Sequence, residues 1–211
     1  MKFQSLWEAR WIFGILAACW LATVAIFPVL SLLFAGLLLF SLYFFRDPDR
    51  EPPEDESLAV APADGVVVAV EELEETEFLK QRVRRVVIFL SVFDVHINRA
   101  PITGEITHSE PFTGRYLDAR NPASSQVNAR RTWIIKGERA TIAVRQITGA
   151  IARRICPWKQ VGDGVARGER FGMIRFGSRT EADFPIGAEI LVKPGAVVRG
   201  GETPIARLAA K

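Results

Sequence analysis

Cysteine and histidine are scarce in this chain of 211 residues, with two of each. Cys19 lies in an apolar run and Cys156 far from it. No disulfide framework and no metal-ligand spacing exists, which fits a reducing compartment. Long amphipathic helices are missing beyond the first 45 residues. There is no glycine-rich loop of the phosphate-cradling kind, and no G-x-S-x-G elbow of the serine hydrolase type. A strong charge of one sign is lacking too. The net charge is +3 and the pI about 9.1, far from the footprint of a nucleic-acid binder and compatible with an anionic membrane surface. The basic clusters Arg82/Arg84/Arg85, Arg130/Arg131 and Arg153/Arg154 read as solvated faces.

The residues present begin with an uncharged run of 35, Trp11 to Phe45. That is too long for one membrane span of roughly 20 residues and tight for two. Pro28 near its middle breaks or kinks a helix. The reading is a transmembrane helical hairpin or a deep re-entrant pair, helices 11–27 and 29–45, with Trp7, Trp11, Tyr43 and Phe44 at the interfaces. Lys2, Arg10, Arg46 and Arg50 put both ends, and the domain C-terminal to them, on the cytoplasmic side of the cell membrane. A cleaved signal peptide ending at "ATVA" is disfavoured by Glu8 in the n-region and by the apolar run continuing past it.

The charged, proline-rich stretch "RDPDREPPEDES" ends the helical segment and opens a domain over 46–211. Nearly all of that domain reads as β. "LAVAPADGVVVAVEEL" holds two apolar runs around an Ala-Asp-Gly turn, and Val86 to Val92 suits a buried strand. "RTWIIKGERATIAV" reads as a hairpin across Lys136-Gly137. A weak internal repeat aligns Val165, Arg167 and Gly168 with Val197, Arg199 and Gly200. The fold class is mostly β, a sandwich or barrel with lipoyl-like (hammerhead) hairpin units.

Few residues can do chemistry. His96 in "SVFDVHINRAP" stands at the end of an apolar run, where sites are commonly built; His108 in "EITHSEP" reads as structural. Asp64 in "APADGVV" and Ser178 in "RFGSRTE" are, taken singly, turn residues. Together Ser178, His96 and Asp64 form a nucleophile, base and orienting-carboxylate set.

Five segments, "FFRDPDREPP", "APADGVV", "SVFDVHINRAPITGEI", "GDGVARGERFGMIRFGSRTE" and "FPIGAEILVKPGAVVRGGETPIARL", resemble in order the phosphatidylserine decarboxylase proenzymes of the short bacterial and archaeal form. The resemblance runs from about Phe44 to Leu208. It implies that the protein cuts its own Gly177–Ser178 bond into a β chain, 1–177, and an α chain from Ser178, and that Ser178 becomes a covalent pyruvoyl group. It implies His96 and Asp64 as the assisting residues, no metal, and decarboxylation of phosphatidylserine to phosphatidylethanolamine through a Schiff base. The implied partners are the lipid, the membrane and the two chains of one precursor, with no nucleic acid; a homo-oligomer is left open. In "VNARR" Ala129 stands where family members often carry Glu, and "PFTGRYLDARNPAS" matches the family's Gly-Lys-Phe segment only loosely. Two rivals are a membrane-tethered, lipoyl-like binding module modified at Lys193, and a membrane serine hydrolase using the same three residues.

Overall fold

The computed structural model describes residues 3–151, 153–175 and 178–209, with Ser178 described by its backbone alone. Gly177, one side of the expected cut, lies outside the described residues. Contacts divide the chain into two units, Met1–Pro48 and Asp49–Lys211.

The first unit is helical: α1 (Gln4–Glu8), α2 (Arg10–Val24) and α3 (Pro28–Phe44). Pro28 opens α3, where its missing N–H and fixed φ cost nothing. α2 and α3 pack on each other, and Ser5 Oγ donates to the Phe45 carbonyl at 2.8 Å, joining the two ends of the unit. The 15 and 17 residues of α2 and α3 rise only about 23 and 26 Å, short of a hydrocarbon core of about 30 Å. No helix among the described residues is long and apolar enough to cross a membrane. The expected hairpin is present as a packed pair of short helices. The physical reason is Pro28, which divides one uncharged run into two short helices.

The second unit is β-rich. Its strands are β1 (Leu58–Val60), β2 (Gly65–Glu75), β3 (Gln81–Leu90), β4 (Ile97–Arg99), β5 (Gly104–Phe112), β6 (Arg130–Lys136) and β7 (Thr141–Ile147). They continue with β8 (Arg154–Pro157), β9 (Gly164–Val165), β10 (Arg170–Arg175), β11 (Ser178–Pro185), β12 (Glu189–Ile190), β13 (Val197–Val198) and β14 (Pro204–Arg207). A short helix, α4 (Ser124–Val127), precedes β6. An eight-stranded sheet runs β13-β2-β3-β11-β7-β6-β5-β9, and two three-stranded sheets run β1-β14-β12 and β4-β10-β8. This is the β sandwich or barrel expected. The Ala-Asp-Gly turn differs from expectation: β1 and β2 lie in different sheets, so the turn carries the chain from one sheet to another instead of closing a hairpin.

Strand alternation divides the central sheet into two faces. Val86, Ile88, Val144, Ala182 and Phe184 enter the apolar core, with Trp133 edge-on to Phe171 at 5.1 Å. The opposite face carries Arg85, Arg145, Arg179, Glu181 and Asp183, all buried.

The unit contains an internal duplication. β13 pairs with β2 through Val198↔Gly65 and Val197↔Val66; β9 pairs with β5 through Val165↔Gly104 and Gly164↔Glu105. Gly195 N–H donates to the Val67 carbonyl and Gly162 N–H to that of Ile106; Gly201 N–H donates to Ala61 and Gly168 N–H to Ala100, all at 2.8 Å. The backbone agrees, with φ of +92° at both Gly162 and Gly195, and +79° and +82° at Gly168 and Gly201. The true register thus aligns Val165 with Val198 and Gly168 with Gly201, one residue away from the alignment read in the sequence. Glycine at a left-handed position sets the register more firmly than side-chain identity.

Candidate active site

Three segments meet at the start of β11, held by hydrogen bonds to one short strand. In β4, Asn98 Nδ2 donates to the Pro62 carbonyl (3.3 Å) and to Thr180 Oγ1 (3.1 Å), and Arg99 N–H donates to Pro62 as well (2.9 Å). The Asp64 segment and β11 are thereby tied to the strand just after His96. Ser178 pairs by its backbone with Leu90, the last residue of β3. Ser91 to Asp94 then turns the chain back toward His96, and Ile174 N–H donates to the His96 carbonyl at 3.1 Å. Arg175, the last residue of β10, directly precedes the undescribed pair 176–177.

His96 is fully buried. Its Nδ1 lies 2.9 Å from the Asp94 carbonyl oxygen. A carbonyl only accepts, so this bond assigns the proton to Nδ1 and leaves Nε2 with its lone pair. The Asp94 carboxylate is used elsewhere: its Oδ2 accepts from Ser91 N–H and Oγ at 2.8 and 2.7 Å, closing the turn.

Asp64 lies after β1 and directly precedes Gly65. Its Oδ1 accepts from Gly200 N–H and its Oδ2 from Arg50 Nη2, both at 2.8 Å. Arg50 Nη1 also binds Glu202 at 2.8 Å, so this arginine ties the linker to the site. In the duplicated half the bond from Gly200 to Asp64 is matched by one from Arg167 N–H to Thr103 Oγ1 at 3.1 Å. A hydroxyl therefore serves the backbone need, and the charge at Asp64 exceeds it.

His108 sits apart, half exposed on β5, with Nε2 3.2 Å from Glu110 Oε2 and its ring 4.9 Å from Phe78. Lys193 is exposed in a turn before Pro194 and Gly195.

Sequence reasoning missed a buried relay behind the site. Trp133 Nε1 donates to Gln146 Oε1, and Gln146 Nε2 donates to Asn98 Oδ1, both at 2.7 Å. Asn98 passes the chain on to Thr180, two residues after Ser178. All four side chains are fully buried, so an unsatisfied member would be costly. Asn98 was in view within "DVHINRAP"; Gln146 and Trp133 gave no sign, because only strand pairing brings them there.

On the far face of β11, Arg85 grips Asp183 through two bonds of 2.6 and 2.8 Å, and Arg145 adds a third at 3.0 Å. Glu181 takes Arg179 at 2.8 Å and Ser125 Oγ at 2.5 Å. Burial pushes the Glu181 carboxyl up, but Arg85, Arg179, Ser125 and Arg145 outweigh it and hold the group below its ordinary value. Burial likewise depresses Arg85, and Asp183 more than restores it. The network stays ionised and fixes β11 against β3 and β7.

The family model for phosphatidylserine decarboxylase matches residues 37–206. The chain belongs to the phosphatidylserine decarboxylase family. A phosphatidylserine decarboxylase proenzyme of Symbiobacterium thermophilum is 46% identical over 191 residues, covering 89% of each chain. One from Ruegeria pomeroyi is 40% identical over 205 residues, covering 95% of this chain and 94% of its own. One from Syntrophus aciditrophicus is 45% identical over 168 residues and 79% of each. The phosphatidylserine decarboxylase match takes in all three convergent segments.

Proposed function

We infer that this chain decarboxylates phosphatidylserine to phosphatidylethanolamine with a pyruvoyl group made from its own Ser178. The observation that carries the reading is the convergence of the Asp64, His96 and Ser178 segments through Asn98, Arg99 and Thr180, within a chain of this family.

In this reading His96 Nε2, the ring nitrogen that does not bond Asp94, takes the Ser178 hydroxyl proton. Ser178 Oγ attacks the Gly177 carbonyl carbon, the peptide C–N bond breaks, and an ester replaces it. Loss of the Ser178 Cα proton expels the Gly177 carboxylate and leaves dehydroalanine. Its imine tautomer takes up water and releases ammonia. Asp64 supplies the negative charge that stabilises the imidazolium formed in the first step. The matching turn carries the uncharged Thr103, so the backbone bond from Gly200 does not by itself require the carboxylate, which also pairs with Arg50.

The new N-terminus fits where it would be made. β11 is an inner strand, laddered to β3 and β7, so the 178–211 fragment stays bound after the cut. The pyruvoyl carbonyl supplies an electron sink for the bond to the departing carbon dioxide. His96 Nε2–H can then return a proton to that carbon.

The 1–45 segment, in this reading, embeds in the cytoplasmic face of the cell membrane. It is supported by outward apolar side chains on both helices, with Trp11 72% and Val29 82% exposed. Helices too short to cross suit insertion from one side.

The test is a denaturing gel with intact fragment masses, alongside carbon dioxide release from phosphatidylserine. Two fragments divided after Gly177, the smaller with a carbonyl-blocked N-terminus, are expected. Active protein with an intact chain and a free Ser178 hydroxyl would overturn the reading, and would leave the binding-module and hydrolase rivals to be distinguished by Lys193 modification. Removal of residues 1–45 is expected to lower turnover of vesicle lipid at least about tenfold more than turnover of a short-chain soluble analogue. Equal loss on both would remove the membrane role.

A further inference from the structure

The doublets Arg130/Arg131 and Arg153/Arg154, solvated faces by sequence alone, line one open cleft of about 230 Å³ with Phe112 and Thr148. Arg130 lies over the Phe112 ring at 3.9 Å and donates to the Gln126 carbonyl at 3.0 Å. It pairs with Glu77, 3.8 Å away and 55% exposed, and also feels the buried Glu181. Arg131 donates to Ser109 Oγ at 2.8 Å. Arg153 lies 5.6 Å from the Tyr116 ring centre. Among the described residues no carboxylate pairs with Arg131, Arg153 or Arg154.

That differs from Arg85, Arg145 and Arg179 on the far face of β11, each of which holds a carboxylate. Burial pushes the Arg131 guanidinium down, with no acidic group acting against it. Arg131, Arg153 and Arg154, with no paired carboxylate among the described residues, make a standing positive field in a partly desolvated cleft, which an anion would neutralise.

The cleft also lies beside the candidate site. Arg131 pairs with Gln146, and Gln146 with Thr180, two residues after Ser178 and part of the relay behind the site. Two strand spacings, about 10 Å, separate them. On the other side Arg154 pairs with Arg175, the end of β10.

We propose that this cleft binds the phosphodiester of the serine phospholipid and holds its headgroup toward residue 178. The proposal rests on the function inferred above. Planar, forked guanidiniums match phosphate oxygens better than ammonium groups. The same chemistry could instead meet phosphates of the surrounding bilayer, and the experiment separates the two.

The experiment measures self-cleavage, and kcat and KM for carbon dioxide release from monomeric short-chain phosphatidylserine, in wild type, Arg131→Gln and Arg154→Gln. Binding to phosphatidylglycerol vesicles is measured in parallel. Arg154 is exposed, so its variant folds even if Arg131→Gln does not. The expected result is normal cleavage, near-normal kcat and a KM raised about tenfold per arginine. Unchanged KM on the soluble lipid with weakened vesicle binding would overturn the proposal in favour of bilayer contact. Unchanged KM and unchanged vesicle binding would remove any anion role. Failure of wild type to cut itself or release carbon dioxide would instead strike the inferred function.

Discussion

The half built on β1, β2 and β3 and the half built on β4, β5 and β6 share one backbone plan and differ in the chain beyond it. In each, a glycine begins the long strand so close to a neighbour that a Cβ would stand 2.2 Å from the Phe89 carbonyl oxygen (Gly65) or 2.5 Å from that of Lys136 (Gly104). In each, a side chain just before that glycine accepts from a backbone N–H across the sheet: Asp64 in one, Thr103 in the other. Beyond the third strand they part. β6 passes through a tight turn, Gly137 N–H to Ala140 at 2.9 Å, straight into β7. β3 enters the Ser91–Asp94 turn and delivers His96. The site belongs to the half that gained a carboxylate and a histidine. The other half shows what the scaffold needs without them.

The largest break in this comparison is Asp64→Thr, which copies the second half into the first. Self-cleavage is expected to slow at least about 100-fold and the melting temperature to fall by several degrees, because the threonine hydroxyl still accepts from Gly200 but no longer pairs with Arg50. Time-resolved gels and thermal melts read both quantities. Normal processing would show that the charge does nothing there.

Gly65→Ala and Gly104→Ala come next. Each forces a backbone shift, and Gly65 also has φ of +145°. Losses of about 2–4 kcal/mol in urea unfolding are expected, larger at Gly65. Equal, small losses would mean that the two close approaches relax freely.

A smaller effect is expected from Thr103→Val, which leaves Arg167 N–H without its acceptor. A loss of about 1–2 kcal/mol with unchanged self-cleavage would separate scaffold from chemistry. Slowed cleavage would couple the halves in a way the hydrogen bonds do not.

The smallest effect emerges only in acid. Glu181 is held below its ordinary value, so its contribution is full above the unfolded carboxyl range near 4.3 and is lost as pH falls through the folded value. Stability is therefore expected to drop below about pH 4. Glu181→Gln is expected to be less stable than wild type at pH 7 and to converge with it in acid. A constant gap between the two at all pH values would exclude this titration.

Much of the fold was legible residue by residue. The continuous apolar run from Val86 to Val92 marked a buried strand, which ends at Leu90, and Lys136-Gly137 marked a real hairpin. Asp64-Gly65 misled because a two-residue turn signal does not say whether the flanking strands pair or part. The duplication was visible one residue out of step, since φ at Gly162, Gly168, Gly195 and Gly201 is set by backbone bonding that side-chain identity does not report.

By itself the sequence determined the chemistry-bearing residue types and their order: Asp64 before a glycine, His96 after a buried strand, and Ser178 after a glycine, read as a turn although it opens β11. These are local, because turn and strand preferences act over a few residues. Only the tertiary structure decided which groups meet. It gave His96 Nδ1 to the Asp94 carbonyl, ran Trp133 and Gln146 to Asn98, and gathered Arg130 and Arg131 with Arg153 and Arg154. Such contacts depend on the register of strands far apart in sequence, and one residue of slip turns every side chain to the opposite face.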